Sequence, residues 1–196
     1  DIVKMTVAKT ALFEAIHTDS VPVTHAALVI GGGMAGMTAA LALGDQGYEV
    51  HIVEQQDALG GLVNNLFRTL DGSDVQAFLK ESIDKVGRHP KITVHTGLDI
   101  KKTDGFVGNF VTTLTDDTTI PHGAIIIATG GVEYEPDEYE YGSSSAIMTQ
   151  RELEKRLETE TFQPSASFAM IQCVGSREEP FNYCSRICCQ DAIKNA

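Results

Sequence analysis

The sequence predicts an α/β fold built on a parallel sheet, and three observations carry that prediction. Short apolar runs at residues 26–30 and 124–128 have strand length and end at glycines or at Thr129-Gly130, as strands buried on both faces do. The first run leads through a glycine-rich turn into a helix-length stretch rich in Ala and Leu, the order of a β-α-β unit. The 196 residues include 18 glycines but only 6 prolines, which favours tight strand-to-helix turns over a linker-rich or disordered chain.

Taken in order, residues 1–20 set Ile2, Val3, Met5, Val7, Ala8, Leu12, Phe13 and Ile16 at helical spacing, an entry helix with a packing role. After the strand at 26–30 comes a helix over 34–47, ended by Gly47, and a second strand over 49–53. A helix over 74–86 and a third strand over 91–95 follow. Between 100 and 114 the pattern turns to short Thr- and Val-rich stretches with Gly105 and Gly108 at turns, an antiparallel excursion. The strand at 124–128 then returns to the parallel sheet. Residues 133–145 are acidic, Ser- and Tyr-rich and read as a linker. Thr149 is placed to cap a short charged helix over 151–158. A strand over 168–173 and a helix from residue 191 complete the chain. This divides it into an entry helix (1–20), a nucleotide-binding domain (21–145) and the start of a second domain (146–196). Because it opens on Asp1 and stops at Asn195-Ala196 inside a helical pattern, the expectation is a piece of a longer polypeptide.

The net charge of −12 argues against nucleic acid and anionic membrane as partners, since both demand clustered Lys and Arg. No apolar run approaches the roughly 20 residues of a membrane span, and no signal peptide is visible. A cytoplasmic setting is expected.

Gly31-Gly32-Gly33-Met34-Ala35-Gly36 fits G-x-G-x-x-G between a buried strand and a long helix, the context that makes the motif specific. Gly31 permits the turn off the strand, Gly33 lets a pyrophosphate approach the backbone, and Gly36 lets the helix pack on the sheet. The first helical amides, at Met34 and Ala35, face the phosphate charge with the helix dipole behind them. Glu54 closes the second strand, where a carboxylate accepts from both ribose hydroxyls and repels a 2′-phosphate. This is a Rossmann-type dinucleotide site. Gly60-Gly61 and Ala128-Thr129-Gly130, with the antiparallel excursion between them, tilt the ligand from NAD to FAD.

All four cysteines, Cys173, Cys184, Cys188 and Cys189, lie in the last quarter, which points to a metal or redox site in a reducing compartment rather than to scattered disulfides. Three readings compete. A zinc site usually uses two C-x₂₋₄-C knuckles, and only Cys184 and Cys188 have that spacing. A redox-active pair, Cys184 and Cys188, leaves two thiols unexplained. A 4Fe-4S cluster takes four thiolates at irregular spacing, with Arg177 and Arg186 near to offset its charge. No general acid or base stands out.

The chain resembles the family of heterodisulfide reductase A subunits (HdrA-like flavoproteins) and its electron-bifurcating relatives. The match runs through residues 28–40, Val107-Gly108-Asn109-Phe110, residues 122–125, Ala128-Thr129-Gly130 and residues 149–154. Its most specific blocks are Met170-Ile171-Gln172-Cys173-Val174-Gly175-Ser176-Arg177, then Tyr183-Cys184-Ser185-Arg186-Ile187-Cys188-Cys189 with residues 192–195. The resemblance implies a thioredoxin-reductase-like, two-dinucleotide-domain flavoprotein whose second domain carries cysteines where a glycine-rich loop would stand. It implies FAD on the glycine motifs, a 4Fe-4S cluster on Cys173, Cys184, Cys188 and Cys189, and partner subunits of a heterodisulfide reductase-like complex. Further cluster motifs and the last FAD-domain segment are expected beyond residue 196, so the isolated piece is expected to be inactive. An FAD-dependent disulfide oxidoreductase and a cofactor-poor docking scaffold are the alternatives.

Overall fold

The structure is a computed structural model describing residues 1–14, 20–160, 162 and 167–196. In chain order its elements are α1 (Ile2–Thr10), β1 (Ala26–Ile30), α2 (Met34–Asp45), β2 (Glu49–Glu54), a 3₁₀ turn (Gly61–Asn65), α3 (Val75–Arg88), β3 (Ile92–Thr96), β4 (Ile100–Phe106), β5 (Asn109–Leu114), β6 (Thr119–His122), β7 (Ala124–Ile127), α4 (Gln150–Thr159) and α5 (Cys188–Asn195).

Four strands pair in parallel in the order β3-β2-β1-β7, and β4-β5-β6 form a separate antiparallel meander. Alternation along the central strands puts apolar residues on both faces of the sheet, and β1 is apolar throughout. Val29, Val50 and Ile52 point to one face and pack with Met37 and Ala40 of α2 and with Leu79 and Val86 of α3. Leu28 and Val53 point to the other face and pack against Leu114 and Ile120 of the meander. Both faces are therefore dry, and each fully buried side chain contributes about 1.5–3 kcal/mol.

Local signals set the helix ends. Asp74 Oδ1 accepts from the Ala77 amide to start α3, and Lys85 and Arg88 occupy its last turn, where the dipole favours cations. At α4, Thr149 Oγ1 accepts from the Glu152 amide while Glu152 Oε2 accepts from the Thr149 amide, a reciprocal cap.

The meander carries a buried polar chain. His122 is fully buried, its Nε2 2.8 Å from Thr112 Oγ1 and its Nδ1 3.2 Å from the Ala124 carbonyl oxygen. Thr112 Oγ1 lies 2.9 Å from Thr103 Oγ1. Beside it, His51 Nδ1 and His95 Nε2 sit 3.2 Å apart with stacked rings. Burial pushes all three imidazoles below the ordinary histidine value, and His95 lowers His51 further.

Four expectations are corrected. No strand forms over 168–173, where the chain is irregular. An apolar run becomes a strand only with a neighbour to pair with, and among the described residues no strand pairs with it. The last helix starts at Cys188 rather than at residue 191. The excursion has a third strand, β6. Residues 133–145 form neither helix nor strand and are mostly exposed, with three local contacts: Tyr134 lies on Gly175, Tyr141 Oη donates to Glu152 and Arg151 pairs with Glu133. α1 ends at Thr10 and buries none of its residues, so it packs on nothing among the described residues; Ile16 lies outside them. Among the described residues no helix is long and apolar enough to cross a membrane.

Candidate functional site

Three loops at the carboxyl ends of β1, β2 and β7 converge. Gly31 leaves β1 at φ +104°, where a Cβ would overlap the Ala128 carbonyl oxygen, so the segment ending in Thr129 and Gly130 lies directly against the turn. A Cβ on Gly36 would overlap the Gly31 carbonyl oxygen, which is the close helix-to-strand approach the third glycine allows. Gly33, by contrast, opens α2 with nothing within 4 Å of a Cβ position, and no side chain caps the helix. Met34 is half-buried and Ala35 exposed at the first helical turn. The amide of Gly60 donates to the Gly32 carbonyl oxygen at 2.9 Å, and Gly61 would bring a Cβ within 3.3 Å of the Gly33 Cα. Gly31, Gly33, Met34, Ala35, Gly36, Gly60, Gly61, Thr129 and Gly130 thus share one end of the sheet.

Glu54 ends β2 beneath them and is buried. Its Oε2 accepts from the Gly32 amide at 2.7 Å and its Oε1 from the Gln56 amide at 2.8 Å. Each oxygen keeps lone-pair capacity for a further donor. Gly32 has no assigned role in the motif, yet a side chain there would strike Leu59 and Glu54; its signal was the run of three consecutive glycines. The open backbone at Gly33, with an uncapped helix terminus behind it, is the cradle a pyrophosphate needs, so the residues present fit FAD.

Cys173 and Cys184 lie in the irregular segment that leads to α5, and Cys188 and Cys189 open that helix. All are free thiols; Cys184 and Cys189 are exposed, Cys173 and Cys188 half-buried. Burial first, then the neighbouring thiol of Cys188 and those of Cys173 and Cys184, pushes the Cys189 thiol up. Among the described residues no three ligating side chains converge closely enough to hold a metal ion. The loop is held open by local bonds: the Arg177 amide donates to the Phe181 and Tyr183 carbonyls, and Cys173, Arg177 and Arg186 all take positive φ. A cavity of about 480 Å³ opens beside Cys173, and Gln172 Nε2 is buried there without a partner among the described residues. Four thiols match the ligand set of a 4Fe-4S cluster in number and chemistry, and the structure does not gather them around one point.

Glu154 shows in the sequence only as the last residue of a matching block. It is buried, accepts from the Phe67 amide at 2.7 Å and the Arg68 amide at 3.4 Å through Oε1, and pairs with Lys194 Nζ at 2.6 Å through Oε2.

Comparison with known proteins identifies the family. The profile of the family described as pyridine nucleotide-disulphide oxidoreductase matches residues 25–165. The chain is 28% identical to the A subunit of the H(2):CoB-CoM heterodisulfide,ferredoxin reductase of Methanothermobacter marburgensis, over 294 aligned positions that cover all of this chain and 44% of the relative. The alignment is longer than the 196-residue chain, so that relative carries extra sequence inside the matched span. Over 111 residues, 56% of this chain and 17% of the relative, it is 42% identical to an iron-sulfur A subunit of the CoB--CoM heterodisulfide reductase of Methanopyrus kandleri. Among solved structures it is similar to the thioredoxin reductase of T. acidophilum, with a TM-score of 0.49 and 21% identity over 60% of this chain and 40% of that one. The chain spans less than half the length of the curated relatives it matches. It belongs to the pyridine nucleotide-disulphide oxidoreductase family of FAD-dependent oxidoreductases, and its relatives within that frame are the A subunits of heterodisulfide reductases.

Proposed function

We propose that this chain is the flavin- and cluster-carrying part of an electron-transfer protein like the A subunit of heterodisulfide reductase, working in the cytoplasm with other subunits of such a complex. The observation that carries the reading is the set of four free thiols at the entry to α5, in one chain with a Rossmann-type site whose glycine turn stands open.

Gly31, Gly33 and Gly36 bring backbone against the pyrophosphate, and the amides at Met34 and Ala35 supply donors at the positive end of α2. Glu54 offers its remaining lone pairs to the adenosine ribose while its bonds to Gly32 and Gln56 keep it in place. Gly60, Gly61, Thr129 and Gly130 lie along the rest of the cofactor, and the space where a side chain would stand on Gly130 is open. Cys173, Cys184, Cys188 and Cys189 supply four thiolates, and the buried N–H of Gln172 can donate to a sulfur near Cys173. When bound, FAD exchanges electron pairs and a 4Fe-4S cluster exchanges single electrons with it. The protein's part is to hold the two in register and keep the thiolates ligated.

The test is a flavin, iron and sulfide count on the full-length protein purified without oxygen. One flavin with iron that is lost on Cys184→Ala and Cys188→Ala supports the reading. Flavin without iron, with a Cys184–Cys188 disulfide that reduces on flavin reduction, overturns it in favour of a disulfide oxidoreductase. Neither cofactor leaves the docking scaffold.

A further inference from the structure

Glu154 and Lys194 are 40 residues apart, on α4 and α5, and both side chains are nearly sealed from solvent, 6% and 9% exposed. The pair joins two sites. Lys194 sits in the last turn of the helix that opens with Cys188 and Cys189. The other carboxylate oxygen of Glu154 holds the amides of Phe67 and Arg68, which lie just past the 3₁₀ turn that Gly60 caps and Gly61 opens. That turn is fixed in turn from the opposite side, by Gln76 Nε2 donating to the Val63 and Leu66 carbonyls and by the Gly60 amide bonded to Gly32. Asn195 Nδ2 donates to Gln150 at 3.1 Å and fixes the end of α5 on the start of α4.

An unbroken line of short bonds therefore runs from the thiol-bearing helix, through Lys194 and Glu154, to the glycine loops of the flavin site. Burying two charges to make one link is costly unless the geometry is good, and here the carboxylate finds three donors.

We infer that Glu154 is a positioning residue: it fixes the helix carrying Cys188 and Cys189 to the loop beside the flavin, and so sets the separation between thiolates and flavin. The inference rests on the flavin–cluster reading above for its functional consequence, and on geometry alone for the link. The step affected is one electron leaving the reduced flavin and entering the oxidised cluster, with no atom transferred. A residue that merely stabilised the fold would move the unfolding midpoint and leave that rate alone; a positioning residue moves the rate.

Two variants test it in the full-length anaerobic protein. Lys194→Met removes the charged link between α5 and Glu154 and leaves the bonds to Phe67 and Arg68 in place, whereas Glu154→Gln keeps an acceptor for those amides and removes the charge facing Lys194. With flavin and iron counts unchanged, both variants are expected to slow cluster reduction after a flash that reduces the flavin, by about tenfold or more. In the cofactor-free chain, Lys194→Met is expected to speed amide exchange at Phe67 by about tenfold. Loss of iron with flavin retained also supports the inference, since the thiol helix has then come loose. Unchanged transfer in both variants with both cofactors present overturns it. Should neither variant fold, the wild-type chain decides: Phe67 and the amides of α5 must open as one unit, and independent opening overturns the link. Wild-type protein without iron sinks the cluster reading instead, and the exchange measurements still judge the link.

Discussion

Glu54 Oε2 lies 2.7 Å from the backbone nitrogen of Gly32, so the carboxylate proposed for the ribose also braces the turn proposed for the pyrophosphate. Glu54→Ala leaves the buried Gly32 amide unpaired, a loss of about 1–3 kcal/mol, and removes the ribose acceptor as well. Glu54→Gln retains an acceptor oxygen and is expected to fall between alanine and wild type. Thermal unfolding with a parallel flavin titration checks both effects; equal FAD affinity in all three proteins would remove Glu54 from the site.

The glycines of the turn separate folding from binding. Gly36→Ala drives a methyl into the Gly31 carbonyl oxygen and is expected to cost about 3 kcal/mol or more without any ligand. Gly33→Ala meets open space at an ordinary φ of −73°, so its folding cost is at most about 1 kcal/mol from the weaker N-cap. It should nonetheless weaken FAD binding at least tenfold, because the methyl occupies the approach to the pyrophosphate. Urea unfolding and flavin affinity measured on both variants read the two effects independently.

The sequence carried the sheet and the strand–turn–helix geometry of the glycine motif well because both rest on local rules. Residues 26–30 form β1 with the expected bounds, since an apolar run bounded by glycine has few other options. Thr149 caps α4 because a side-chain oxygen three residues before a glutamate can satisfy two amides at once. β6 escaped notice: Thr119-Ile120-Pro121-His122 is short and carries a proline, tolerated because β6 is the outer strand of the meander. The strand expected over 168–173 was a pattern without a partner. Glu154 and Lys194 were illegible for another reason. Each looks like one more charge on a polar helix, and only the tertiary structure shows them buried together across 40 residues.

Breaking that pair should be costly and partly reversible. Lys194→Met leaves the Glu154 carboxylate buried with its backbone donors alone, and a loss of about 3–5 kcal/mol is expected. Combining it with Glu154→Gln removes the stranded charge and should recover a substantial part of the loss. Unfolding midpoints of the two singles and the double give the coupling; strict additivity would mean that the two side chains act independently in solution.

Acid should weaken the fold through its buried imidazoles. His51, His95 and His122 lie below the ordinary value of 6.5 in the folded chain, so the unfolded chain binds more protons under mildly acidic conditions. The stability they protect is complete above about pH 6.5 and is lost as the pH falls through that value toward their lowered folded values. Denaturant midpoints recorded from pH 8 down to pH 5 should decline below pH 6.5. A midpoint that holds or rises across that interval would contradict neutral histidines at the sheet–meander junction.

The central claim is that one chain holds a flavin and an iron–sulfur cluster on the residues named. Its most direct test is the visible spectrum of the full-length protein, purified anaerobically and then reduced with dithionite. The expected result is a flavin spectrum over broad thiolate-to-iron absorption that bleaches on reduction, with the broad component absent in the Cys184→Ala, Cys188→Ala double variant and the flavin bands intact. A wild-type spectrum of flavin alone, unchanged in shape by the two substitutions, would contradict the account.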